Sequence, residues 1–139
     1  MDVKKKVNYL IKKYGTNNPF KIAKTLGIQV VFEELGNIHG YHSKTHRTSV
    51  IHINASLSEP KQLFVCRHEL GHAILHPNQN TTFLKSHTYF STDKLENEAN
   101  LFAVELMLSK EADNPITFEE AIYIYGIPEH FLRNNFLKG

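Results

Sequence analysis

The chain has a single cysteine, Cys66, among its 139 residues. That excludes an intrachain disulfide and a metal site built from several thiolates, and it suits a reducing compartment. Long hydrophobic runs are missing as well: the apolar stretches last a few residues, far short of the roughly 20 that span a bilayer. Charge of one sign is also scarce. A formal net charge of +2 is too small to imply nucleic acid, and the lysines crowding the start (Lys4, Lys5, Lys6, Lys12, Lys13, Lys21, Lys24) read as a solvated helix face. The opening MDVKKKVNYLIKKYG has neither the apolar core nor the small-residue cleavage site of a signal peptide. The expectation is a cytoplasmic protein without a membrane partner or an obligate oligomer. Neither an internal repeat nor a low-complexity segment interrupts it. With 41% hydrophobic and 22% charged residues, the composition is that of an ordinary globular domain.

Periodicity supplies the elements. Val3, Val7, Leu10 and Ile11 recur at helical spacing before Gly15. Asn18 and Pro19 read as the cap and first position of a second, short helix that closes at Gly27. IQVVFEEL is strand-like, and IHGYHS and TSVIHINAS predict two further strands, with turns at Gly36-Asn37 and in KTHRT. Ser58, Glu59 and Pro60 open a helix from about Lys61 to His76, with Leu63, Leu70 and Ile74 as its buried stripe and Pro77 as its stop. Residues 78–93 read as an ordered surface loop. LENEANLFAVELML is a third long helix, capped by Thr92 or Asp93. After Asn114-Pro115, two short helices flank Gly126-Ile127-Pro128. The expected organisation is one domain over 1–139: helices and a small sheet to 57, two long helices over 58–109, and a helical hairpin over 110–139.

Residues 68–76 read HELGHAILH. His68 and His72 stand one helical turn apart, so both imidazoles can reach one zinc ion, and Glu69 lies where it can take a proton from a water on that ion. This HExxH arrangement hydrolyses peptide bonds without a covalent intermediate. His76 is roughly 12 Å along the axis from His68, at 1.5 Å per residue, which is too far to share the ion. It is assigned to the helix end, where an imidazolium suits the dipole. Gly71 is a poor mid-helix residue, and a close approach by another backbone would account for it. Cys66, turned about 160° from His68, reads as a buried small hydrophobe.

The helix beginning near Asp93 offers a third ligand, Glu96 or Glu98. Glu96 shares a side with the small residues Ala99 and Ala103 and with Asn100, which could hydrogen-bond a ligating histidine. Glu96 is preferred, and Glu98, alongside Phe102 and Glu105, remains the alternative. A His₂Glu set accepts Zn²⁺, and also Mn²⁺ or Fe²⁺.

From NPFKIAKTLGI through HELGHAILHP to ENEANLFAVELML, the sequence resembles the ImmA/IrrE family of metallo-endopeptidases over most of its length. The family pattern is HELxHxxLH, followed by a helix of the form E-x-x-A-N/D-x-F-A-x-x-L-L. The resemblance implies His68, His72 and Glu96 as ligands and Glu69 as general base. The family's second helix usually ends in a leucine and a proline, whereas this one ends Met107-Leu108-Ser109, a peripheral departure. It also implies a short prophage or mobile-element type that cleaves a helix-turn-helix repressor, without the sensor domain of larger relatives. A non-proteolytic anti-repressor that only binds the repressor is the alternative. The expected fold is α+β and zincin-like: a small antiparallel or mixed sheet, with the HExxH helix packed against the second ligand helix.

Catalysis also needs an oxyanion donor and a strand edge for substrate. SVIHINA is a candidate for that edge. His39, Tyr41, His42, His52, His87 and Tyr89 could each donate, and none stands out. The last two helices have helix-turn-helix flavour, but Glu119, Glu120 and Glu129 would repel phosphate. They are expected to pack on the core or to help dock the repressor. Direct binding of nucleic acid is not expected.

Overall fold

The computed structural model describes residues 2–79, 81–84 and 93–137. Helix α1 (Val3–Tyr14) starts where Asp2 accepts a hydrogen bond from the Lys5 N–H, and it buries Val3, Val7, Leu10 and Ile11. Asn18 caps α2 (Pro19–Thr25), accepting from the N–H groups of Phe20 and Lys21. Strands β1 (Gln29–Glu33), β2 (Ile38–Thr45) and β3 (Thr48–Asn54) follow, then α3 (Glu59–Leu75), β4 (Thr81–Leu84), α4 (Lys94–Leu108), α5 (Phe118–Tyr123) and α6 (Glu129–Phe136). The fold is α+β, with a small mixed sheet. Among the described residues no helix is long and apolar enough to cross a membrane.

Sheet order is β1-β3-β2-β4, with β3 parallel to β1 and antiparallel to β2, and β2 antiparallel to β4. This corrects two expectations. SVIHINA lies in β3, an interior strand with a neighbour on each side, so it offers no free edge. Its alternation reports a half-buried strand but says nothing about a parallel partner formed earlier in the chain. Part of the 78–93 segment, Thr81–Leu84, is a strand rather than a loop, because β2 presents an unpaired edge beside it.

The third correction concerns α3. Every residue from Phe64 to His72 is buried, whereas Leu63 and Ile74 are only half-buried. The helix lies between the sheet on one side and α2 and α4 on others, so it has no solvent face along its middle. A single apolar stripe therefore does not describe it. Gly40 lets β2 approach this helix closely: a Cβ there would sit 2.6 Å from both the His52 carbonyl oxygen and Val65 Cγ1. Gly71 does the same for α4, but the group pressed against it is the Phe102 side chain, 3.1 Å from where a Cβ would stand, and not a backbone. Ala121, Ile127, Phe131 and Leu132 of the C-terminal segment join the same core as Leu70 and Phe102.

Candidate metal centre

Helix periodicity puts His68 and His72 on the same side of α3, and α4 crosses so that Glu96, in its first turn, meets both. His68 Nε2 lies 3.0 Å and His72 Nε2 2.8 Å from Glu96 Oε2. One ligand atom from each residue falls within 4.8 Å of the others, a spacing that could hold a metal ion. Both histidines are fully buried, and Glu96 is nearly so.

The remaining ring nitrogens are held from outside. His68 Nδ1 is 2.9 Å from Asn100 Oδ1, the contact anticipated one turn beyond Glu96. His72 Nδ1 is 2.9 Å from His76 Nδ1, and His76 Nε2 is 3.0 Å from Glu98 Oε1. The two glutamates are thus separated by function: Glu96 joins His68 and His72, while Glu98 joins His76. His76 is not merely a helix-end residue. Its backbone N–H bonds the His72 carbonyl at 2.7 Å, and its ring turns back to the His72 ring.

The donor set suits a divalent ion. A neutral His68 that donates Nδ1–H to Asn100 leaves Nε2 as a bare acceptor facing Glu96 Oε2, another acceptor. Two acceptors 3.0 Å apart need a proton or a cation between them. Two imidazole nitrogens and one carboxylate oxygen form a common donor set for zinc. Burial lowers the pKa of His72, favouring the neutral ring that a metal requires. Burial alone would push the Glu96 carboxyl up, but the nearby His68 and His72 rings outweigh it and hold the group below the usual carboxylate range.

Glu69 is fully buried, and neither of its carboxylate oxygens has a hydrogen-bond partner among the described residues. Burial first, and then the Glu96 charge, raise its pKa well above 4.5. A buried carboxyl with no partner is costly, and its place in the chain directly follows His68. Cys66 is buried on α3, and burial pushes its thiol up.

The other candidate donors divide by sheet face. His42 is fully buried, 3.3 Å through Nε2 from Ser49 Oγ, and burial lowers its pKa. His52 is occupied elsewhere: Nδ1 lies 2.6 Å from Glu33 Oε1, Nε2 lies 3.2 Å from Ser43 Oγ, and the ring stacks on Tyr41. His39 is half-buried on β2. His87 and Tyr89 lie outside the described residues. The sequence reading missed His76 with Glu98, although the one-turn spacing from His72 to His76 was a visible signal. It also missed Gly40, which carried none.

A buried pair of helical imidazoles, joined by a carboxylate from a crossing helix and accompanied by an orphan glutamate, could hold the metal ion that a metallopeptidase requires. The comparisons then give the family. Residues 23–131 match a peptidase family model described as the IrrE N-terminal-like domain. A protein of Bacillus phage phi105 called "Uncharacterized immunity region protein 2" is 42% identical over 132 residues, covering 91% of this chain and 84% of that protein. Metallopeptidase ImmA of Bacillus subtilis (strain 168) is 39% identical over 126 residues, covering 89% of this chain and 71% of that protein. The chain belongs to the ImmA/IrrE family of metallopeptidases.

Proposed function

We propose that this protein is a zinc-dependent endopeptidase of the HExxH type, with His68, His72 and Glu96 as metal ligands and Glu69 as general base. The observation that carries the reading is the orphan Glu69 carboxylate, buried beside three converging ligand atoms. When bound, zinc supplies Lewis acidity toward the scissile carbonyl and acidifies the attacking water. Glu69 accepts that water's proton as oxygen adds to the carbonyl carbon, and it passes the proton to the departing amine nitrogen. Burial shifts the Glu69 carboxyl upward, the direction that suits a group that takes up a proton and gives it back. Asn100 fixes the orientation of His68, and burial excludes bulk water from the ligand atoms.

The proposed substrate is a helix-turn-helix repressor of a prophage or mobile element. The ImmA/IrrE resemblance and a relative named for a phage immunity region support this reading. The test is to incubate the protein with the helix-turn-helix repressor of the element that carries its gene. Cleavage is expected to stop when a chelator removes the metal and to return on adding zinc. A repressor that stays whole with zinc present throughout would refute the reading.

A further inference from the structure

We propose that His76 and Glu98 are a positioning pair that sets the hydrogen-bonding state of His72, so that this ring presents a bare Nε2 toward Glu96 and His68. The inference rests on the ligand assignment above and adds residues outside that set. Two imidazole Nδ1 atoms 2.9 Å apart share one proton, which belongs either to His72 or to His76. If it belongs to His72, its Nδ1–H donates to His76 Nδ1, and His76 Nε2–H donates to Glu98 Oε1 at 3.0 Å. From His72 through His76 to Glu98 each contact is then a donor on an acceptor, and the bare His72 Nε2 faces Glu96 Oε2, where a cation would sit between them.

The other patterns fail. A neutral His76 with its proton on Nδ1 would turn a bare Nε2 onto the Glu98 carboxylate, placing acceptor against acceptor. An imidazolium at His76 would satisfy Glu98, but it would leave His72 protonated on Nε2, where the ion must bind. Metal loading therefore selects one arrangement, and the Glu98 carboxylate holds it in place by accepting from His76 Nε2. The side chains of His72, His76 and Glu98 are only 0%, 4% and 14% exposed, so water does not compete freely for these bonds. Helix capping does not require this ring: the His76 backbone N–H already makes the terminal bond to the His72 carbonyl.

The experiment measures zinc affinity by competition with a chromophoric chelator, in wild type and three variants whose folding is checked by circular dichroism. His76→Phe keeps the bulk but removes the acceptor, and it is expected to weaken zinc binding about 10–100-fold. His76→Asn places Oδ1 near the former Nδ1 and is expected to recover most of that loss. Glu98→Gln, which keeps an acceptor but loses the charge, is expected to fall between them. Long-range proton–nitrogen NMR of the zinc-loaded wild type should show protons on His72 Nδ1 and His76 Nε2. Wild-type affinity in His76→Phe, or a proton on His76 Nδ1 in the loaded protein, would overturn the inference while leaving the metal centre intact. Failure of the wild type to bind zinc would instead remove the ligand assignment and this pair with it.

Discussion

Each nitrogen of His72 has its own partner, Glu96 on one side and His76 on the other, so the two glutamates of α4 reach this ring by different routes. The placement of His68, Glu69 and His72 on one helix was legible because the one-turn spacing and the helix pattern are local. Glu96 was preferred from its neighbours Ala99 and Asn100, and the latter does meet His68. The partners of His76 were not legible, because they depend on how α4 crosses α3. Two substitutions separate the glutamates: Glu96→Ala should abolish stoichiometric zinc binding in equilibrium dialysis, whereas Glu98→Ala should still bind one equivalent, more weakly. Cys66 carries a pH-dependent expectation. Its folded pKa lies above the ordinary 9.0 because of burial, so the folded chain keeps a proton that the unfolded chain releases. The contribution of this thiol to stability is therefore whole below about pH 9 and is lost as pH rises beyond it. Thiol-reagent labelling at pH 8 should follow global unfolding and no faster process; rapid labelling of the native protein would contradict the assignment.

Among the elements, most helix and strand segments followed from periodicity and caps, and Asp93 indeed caps α4. Strand order did not follow, since parallel pairing of β1 with β3 spans the whole of β2, and no local pattern encodes it. Nor did the pattern show that α3 is enclosed, because its buried polar residues resemble a solvated face. Two glycines hold this packing at different tolerances. Gly40→Ala puts a carbon 2.6 Å from backbone and from Val65, and 3.7 Å from Glu69 Cγ. It should cost about 1–3 kcal/mol and disturb the base along with the strand. At Gly71 the contact is 3.1 Å to one side chain, and alanine recovers about 1 kcal/mol of helix propensity. Thermal unfolding should show a clear loss of Tm for Gly40→Ala and a smaller change for Gly71→Ala; the reverse order would mean that β2 does not press on α3.

At the scale of the whole molecule, α3 is the axis on which the other parts converge. From its side remote from the ligands, the buried Arg67 donates from Nε to the Asn17 carbonyl at 3.2 Å and lies 5.8 Å from the Tyr125 ring, tying the α1–α2 connection and the C-terminal segment to the same helix. Metal affinity should therefore register in global stability. Zinc at a hundredfold excess over its Kd should add about 2.7 kcal/mol to the unfolding free energy of wild type and nothing to Glu96→Ala. The central claim, that Glu69 beside His68, His72 and Glu96 hydrolyses a peptide bond, is tested most directly by intact mass of the repressor. The repressor is incubated with wild type or with Glu69→Gln, each carrying one equivalent of zinc. Wild type should yield fragments whose masses sum to the repressor plus one water, and Glu69→Gln should slow their appearance by about 10²–10⁴-fold. Equal cleavage by both proteins would contradict the claim.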